Sequence, residues 1–206
     1  MLTLNFETKE EWLKARKGRI TGTGLGDITP KVRGEGKKIG FYQLAADKLT
    51  IEEEGDIDES DMERGTRLEP EALEVFAKKI GKKVDTGLKL WVRSDEQSLA
   101  VSPDGTIGKK AAVDTKCLGS ARHLEAFVTQ RLPSDYEMQK LEYFIVNDDL
   151  ETLYFAFYDP RFISEKLKFF VLEFHRKDLE EDIKKYTEIA KQELKLIEAL
   201  VAEFTF

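Results

Sequence analysis

SPDGTIGKKAAVDTKC, residues 102–117, is the stretch on which the reading of this sequence turns. Pro103-Asp104-Gly105 has the chemistry of a turn, where the backbone leaves a strand and a short carboxylate points into open space. Further on comes Val113-Asp114-Thr115-Lys116-Cys117. Side chains alternate along a strand, so Asp114 and Lys116 share one face about 6.6 Å apart while Val113, Thr115 and Cys117 face the other way. Charges are expected on one side and less polar groups on the other.

Two carboxylates converging from a turn and a strand make an oxygen-rich site for Mg²⁺, which takes hard ligands and keeps several waters for a phosphate substrate. A lysine beside that metal lowers the cost of hydroxide at the attacking position and neutralises charge on a pentavalent phosphate. This is the minimum apparatus for phosphodiester hydrolysis. An isolated PD followed by D-x-K is nevertheless more often an ordinary turn and an exposed charge pair, so the surrounding chain has to decide.

Outward from that segment, Lys83 to Cys117 consists of short stretches rich in Val, Leu and Trp, broken by DTG, SDEQ and PDG turns, which indicates antiparallel strands. Upstream, a helix runs towards Gly81 with Leu68, Ala72, Phe76 and Ile80 on one face and Pro70 in its first turn or at a kink. Residues 39 to 53 read as another helix, with an exposed acidic loop after it. Thr8 and Glu11 make a capping box for a first helix, and RITGTGLGDITPKVRGEGKK is a loop without the Walker order of glycines, Lys and Ser/Thr. Downstream, Ser134 with Glu137 is expected to cap a helix holding Met138, Leu141 and Ile145. TLYFAFYDP and KLKFFVLEF read as two strands, and the tail from Lys177 as an amphipathic closing helix. The order implies an α/β or α+β fold with a central mixed sheet, and residues 1–206 as a single domain.

Composition sets the outer limits. A content of 41% hydrophobic and 35% charged residues fits one compact soluble domain. No secretory leader or membrane span is expected, and the single cysteine, Cys117, excludes an internal disulfide and a four-cysteine zinc or iron–sulfur site. A cytoplasmic protein is expected. The net charge of −7 argues against coating nucleic acid through a general positive field. Acids concentrate in IEEEGDIDESDMER and in the tail, whereas Arg16, Lys17, Arg19, Lys31, Arg33, Lys37 and Lys38 cluster early, so DNA contact is expected to be local.

Blocks spread over nearly the whole chain supply the missing context. They are Trp12-x-x-x-Arg16-x-Gly18-x-Ile20-Thr21, then Gly65-x-x-x-Glu69-x-x-Ala72 with Phe76, then Ser102 to Gly105. Asp114-x-Lys116-Cys117, Tyr136-x-x-Gln139 and Tyr158-Asp159-Pro160-Arg161 follow in order. Together they resemble the lambda exonuclease family of phage recombination nucleases, the YqaJ-like viral recombinases, which carry the PD-(D/E)xK restriction-endonuclease-like core with a central mixed sheet flanked by helices.

The resemblance implies Asp104 and Asp114 as metal ligands, Lys116 as the catalytic lysine, and the Thr115 carbonyl facing a metal. Glu69 would complete the site as a ligand or through water, and Gln139 would position water or the scissile strand. Mg²⁺ is the implied metal, with Mn²⁺ as a substitute. The family usually has glutamate where this chain has Asp114, which draws the carboxylate back by about one methylene.

A 5′-phosphate pocket maps by the same resemblance onto Arg16, Thr23, Ser102 and Arg122. Guanidinium forks and hydroxyls are suitable types for it, and gripping each new 5′ phosphate favours successive 5′-to-3′ cleavage. The implied activity is degradation of one strand of linear duplex DNA from 5′-phosphorylated ends, leaving 3′ overhangs. The implied partners are double-stranded DNA ends, two further copies in a ring-shaped trimer, and a single-strand annealing protein; the setting is a bacterial host cell, with the chain encoded by a phage or prophage. Two rivals are a sequence-specific endonuclease on the same core, which would cut closed circles, and an acidic, non-catalytic interaction protein, which would bind no divalent metal.

Overall fold

A computed structural model describes residues 61–204, together with Thr8, Ile39, Tyr42, Ala46 and residues 49–51. The expected first helix, the glycine-rich loop, and Arg16 and Thr23 lie outside the described residues. The chain divides into two compact units, one of Met1–Arg67, Cys117–Arg131 and Phe157–Phe170, the other of Leu68–Lys116, Leu132–Ala156 and Val171–Phe206. No helix among the described residues is long and apolar enough to cross a membrane.

Helix α1, Asp61–Ile80, places Leu68, Ala72 and Phe76 at four-residue intervals and buries all three. It starts inside the acidic stretch read as loop, and Pro70 lies in its interior. Gly81 ends it at φ 63°, its N–H donating to the Ala77 carbonyl at 3.0 Å, a left-handed position that glycine adopts without a Cβ penalty.

The strand region follows the expected hairpin pattern. β1 (Trp91–Val92) pairs antiparallel with β2 (Ala100–Val101) across the SDEQ turn, and β3 (Gly105–Ile107) pairs antiparallel with β4 (Ala111–Lys116). The main sheet has four strands in the order β3-β4-β5-β6, with β5 Thr152–Tyr158 and β6 Phe169–His175. Glu151 and Thr152 N–H both donate to the Lys110 carbonyl, so β5 starts beside the start of β4 and runs with it. Asp159 N–H meets the Lys168 carbonyl and Arg176 N–H the Glu151 carbonyl, so β6 runs back against β5. The sheet is therefore mixed. Between the parallel pair come α2 (Ser120–Thr129) and α3 (Glu137–Val146), the helical crossover that a parallel connection needs.

In the unit that holds most of the sheet, α3 packs on β2 and on the closing helix α5, Glu180–Phe204. Two arginines distant in sequence hold its C-terminus. Arg176 donates to the carbonyls of Leu150 at 2.7 Å and of Phe144 and Asn147 at 2.6 Å, and Arg93 donates to the Ile145 carbonyl and to Asp148. Orphan carbonyls at that helix end are thereby satisfied.

The other unit is built around Tyr42, Ala46, Ala121, Leu124 and Phe162. His123 is fully buried against Phe157, Phe162 and Phe170. One ring nitrogen, Nε2, lies 2.8 Å from the Leu167 carbonyl, and burial holds the imidazole below its ordinary pKa. This is a core histidine, where its sequence neighbourhood suggested an incidental or DNA-facing one. The short helix α4, Glu165–Lys168, leads into β6.

Two local expectations are corrected at a helix end. The helix predicted over 39–53 is present at its described residues Ile39, Tyr42, Ala46 and Leu49 but stops short, since Thr50 bridges Phe162 and Ile51 N–H donates to Arg161 O. The capping box from Ser134 is replaced by a 3-10 turn over Ser134–Tyr136; α3 begins at Glu137 behind Tyr136, with no side-chain cap.

Candidate active site

Register brings the two strand-borne carboxylates together. Gly105 faces Val113 across the β3/β4 pair, which sets Asp104 and Asp114 at neighbouring positions one step beyond. Gly105 is required by space: a Cβ there would stand 2.6 Å from Val84 Cγ1 and 3.0 Å from Val113 Cγ1. The expected Pro-Asp-Gly turn is thus a bend at Asp104 followed at once by a tightly packed strand residue.

Asp104 Oδ2 accepts from the Thr115 N–H at 2.6 Å and from the Thr115 hydroxyl at 2.8 Å. Thr115, expected among the apolar residues of β4, is therefore a polar clamp on one of the two acids. Asp114, expected on the charged face, is buried at 3% exposure. Its Oδ2 accepts from Gln139 Nε2 at 2.8 Å and from the Tyr143 hydroxyl at 2.9 Å. Oδ1 faces only the Lys116 ammonium, 2.5 Å away. Lys116 also donates to Gln139 Oε1 at 3.0 Å, closing a triangle of Asp114, Lys116 and Gln139.

Aromatic rings flank that triangle. Lys116 Nζ lies 4.3 Å from the Tyr136 ring centroid and 5.5 Å from that of Phe155. Burial pushes the Asp114 carboxyl up to about 6; Lys116 pulls it down and Asp104 pushes it further up. Half-buried Glu69, on α1, is also raised, first by burial and then by the charges of Asp104 and Asp114. Burial and the same two acids raise Tyr143, so it stays a phenol that donates to Asp114 and, at 3.1 Å, to the Ser102 carbonyl.

Three acids that burden one another electrostatically are a donor set that a hard divalent cation relieves, so the residues fit Mg²⁺ in chemistry. Among the described residues, no three His, Cys, Asp or Glu side chains converge as a ready ligand cluster. Asp104 is turned onto Thr115, and Asp114 onto Lys116, Gln139 and Tyr143.

Of the residues singled out in the sequence, Glu69, Asp104, Asp114, Thr115, Lys116 and Gln139 fall in one unit, and Ser102 with them. Ser102 is exposed, its hydroxyl donating to the Lys89 carbonyl at 2.5 Å. Arg122 is half-buried on α2, in the other unit. Cys117 is buried just beyond β4. Tyr143, which holds Asp114, is a contact that the reading of the sequence missed. Its signal was helical spacing, since Tyr136, Gln139 and Tyr143 fall three and four residues apart.

The model of the YqaJ-like viral recombinase domain matches residues 11–149. Among solved structures, the chain is similar to LHK-Exo in complex with dAMP, with a TM-score of 0.56 at 22% identity over 96% of this chain and 100% of that one. It is also similar to LHK-Exo, an alkaline exonuclease from Laribacter hongkongensis, with a TM-score of 0.54 at the same identity and coverage. At that identity the likeness establishes the fold, a mixed sheet flanked by helices. No curated protein matches the sequence.

Proposed function

The chain belongs to the YqaJ-like viral recombinase family, and from that premise we propose that it is a Mg²⁺-dependent deoxyribonuclease that degrades one strand of linear duplex DNA, 5′ to 3′, from 5′-phosphorylated ends. The 3′ single strands left behind would serve recombination by strand annealing. The observation that carries the reading is the closed Asp114–Lys116–Gln139 triangle beside Asp104. A purely structural ion pair has no use for two further acids whose charges oppose its own carboxylate.

Asp104, Asp114 and the Thr115 carbonyl would hold the metal, with Glu69 as a further ligand or acting through water; when bound, Mg²⁺, or Mn²⁺ in its place, polarises the phosphodiester and favours hydroxide as the nucleophile. Lys116, positioned by Asp114 and Gln139 between two aromatic rings, supplies fixed positive charge where the phosphoryl oxygens gather negative charge. With Asp114 engaged by the metal, Gln139 would be left to hold a water or the scissile strand. Tyr143 keeps Asp114 oriented through that change. Arg16, Thr23, Ser102 and Arg122 would form the 5′-phosphate pocket.

The protein would act on DNA ends as a single nuclease domain in a homotrimeric ring, beside a single-strand annealing protein, in the cytoplasm of a bacterial host. The test is Mg²⁺-dependent digestion of linear duplexes with 5′-phosphate or 5′-hydroxyl ends, with a closed circle and Lys116→Ala as controls. Loss of one strand from phosphorylated ends, with the circle intact and the variant inactive, is expected. Cutting of the circle points to an endonuclease, and no digestion at all overturns the nuclease reading.

A further inference from the structure

The chain is acidic overall, yet one end of the β3/β4 hairpin gathers lysines. Helix α1 ends with Lys78 and Lys79, and the left-handed Gly81 turns the chain directly into Lys82 and Lys83. Asp85 and Thr106 then exchange both backbone hydrogen bonds, at 2.8 and 2.9 Å, as an antiparallel bridge. That direction carries Lys83 and Lys82 alongside the β3/β4 turn, which holds Gly108 in the left-handed region and then Lys109 and Lys110. All six lysines are exposed.

Acids nearby account for part of this charge. Lys110 pairs with Glu151 at 2.5 Å, with Asp149 adding to the attraction, and Asp85 pairs with Lys89 at 2.9 Å while also attracting Lys83 at longer range. Lys78, Lys79, Lys82, Lys83 and Lys109 make no ion pair among the described residues. The helix dipole explains the first two, which sit in the last turn of α1. It does not explain the other three, which three different backbone devices bring to the same place: the Gly81 turn, the isolated bridge and the Gly108 turn. Five unpaired cations on an acidic chain cost self-repulsion unless an anion covers them.

We propose that these five lysines form a second contact for the phosphate backbone of duplex DNA, away from the cleavage site; the proposal rests on the nuclease reading above. Lys109 stands in the turn before β4, five residues ahead of Asp114, no more than about 17 Å at strand spacing. At about 3.4 Å per base pair, that reaches phosphates about four to five base pairs from the cut. Such a contact reads no sequence and would add to the 5′-phosphate pocket in holding the duplex in register between successive cuts.

The test is binding of wild type and Lys82→Ala/Lys83→Ala/Lys109→Ala to two duplexes without divalent metal, across a salt series, by fluorescence anisotropy. One duplex extends past the patch; the other ends short of it. On the long duplex the variant is expected to bind more weakly, with the slope of log affinity against log salt smaller by about 2 to 3. On the short duplex, binding and Mg²⁺-dependent cleavage are expected to be unchanged, and the Lys→Arg triple variant should keep the wild-type slope. Equal melting temperatures establish that the variants fold. Equal slopes on the long duplex, with wild type still digesting DNA, overturn the patch alone. Absence of binding and digestion by wild type overturns the patch and the nuclease reading together. Unchanged slopes with lost self-association in sedimentation would reassign the patch to a contact between copies of this chain.

Discussion

Among the described residues two aspartates are buried, each near the end of a strand and each two residues before a cation. Asp159 follows β5 and meets Arg161 through both oxygens, at 2.8 and 2.9 Å; it also accepts from the Ser120 hydroxyl at 2.7 Å and the Arg161 N–H at 3.1 Å. Burial alone would raise its pKa, but those donors outweigh it and hold the carboxyl below the ordinary range. Asp114 lies in β4 and meets Lys116, Gln139 and Tyr143, yet it is held at about 6 because burial and Asp104 oppose its charge. A bidentate guanidinium matches a carboxylate lone pair for lone pair, whereas a single ammonium leaves capacity unused. The first pair is closed and structural. The second is the one for which a further cation is proposed.

Removing the cation from each pair separates the two roles. Lys116→Ala is expected to lower cleavage about a thousandfold or more, as loss of a preorganised charge at a reacting phosphate does. Its cost in stability should be only about 1 to 2 kcal/mol, because a carboxyl already near pH 6 takes up a proton instead of remaining a naked buried charge. Arg161→Ala is expected to do the reverse: about 3 kcal/mol less stable, a fall of about 6 to 12 °C in melting temperature, with near-normal cleavage per folded molecule. Single-turnover digestion and thermal melts on both variants check this. An inactive, stable Arg161→Ala protein would break the comparison.

pH offers the next largest lever. For Asp159 the folded pKa lies below the unfolded one, so its stabilisation is complete above the ordinary carboxylate range and fades as pH falls through and below it. For Asp114 the folded pKa of about 6 lies above the unfolded value, so this group favours the folded state most at low pH and loses that contribution as pH rises from about 4 to 6. A proton on Asp114 also competes with metal. Below pH 6 the Mg²⁺ midpoint for cleavage should rise about tenfold per pH unit, or about a hundredfold over two, before the fold itself weakens. Midpoints that stay flat between pH 5 and 7 would remove Asp114 from the ligand set.

The difference between the two aspartates also marks what the sequence could show. Leu68, Ala72 and Phe76 on α1, and the apolar runs of β5 and β6, were legible because local periodicity and final burial agree. Asp104, Asp114 and Lys116 were legible as a spacing. What could not be read were contacts made at long range. Thr50 and Ile51 leave their helical pattern because Phe162 and Arg161 offer backbone partners. Thr115 turns from core filler into a clamp because the β3/β4 register sets Asp104 beside it. Arg93 and Arg176 secure α3 from opposite sides in sequence with no local signature at all. Tyr143 sits among Leu141, Phe144 and Ile145, and its helical spacing from Tyr136 and Gln139 was the one sign that its hydroxyl meets Asp114.

That hydroxyl gives the smallest expected effect and the finest test of the comparison. Tyr143→Phe keeps the ring and removes one donor from Asp114 Oδ2, which still has Gln139. If Asp114 were closed like Asp159, losing one of several donors would show mainly as reduced stability. If it is a ligand held in readiness, the loss should show at the metal, because the group that orients a ligating carboxylate typically contributes about tenfold in affinity. The expected result is a Mg²⁺ midpoint about tenfold higher with the rate at saturating metal close to wild type. A lower saturated rate with an unchanged midpoint would mean that Tyr143 acts on Lys116 and the reacting phosphate instead of on the ligand.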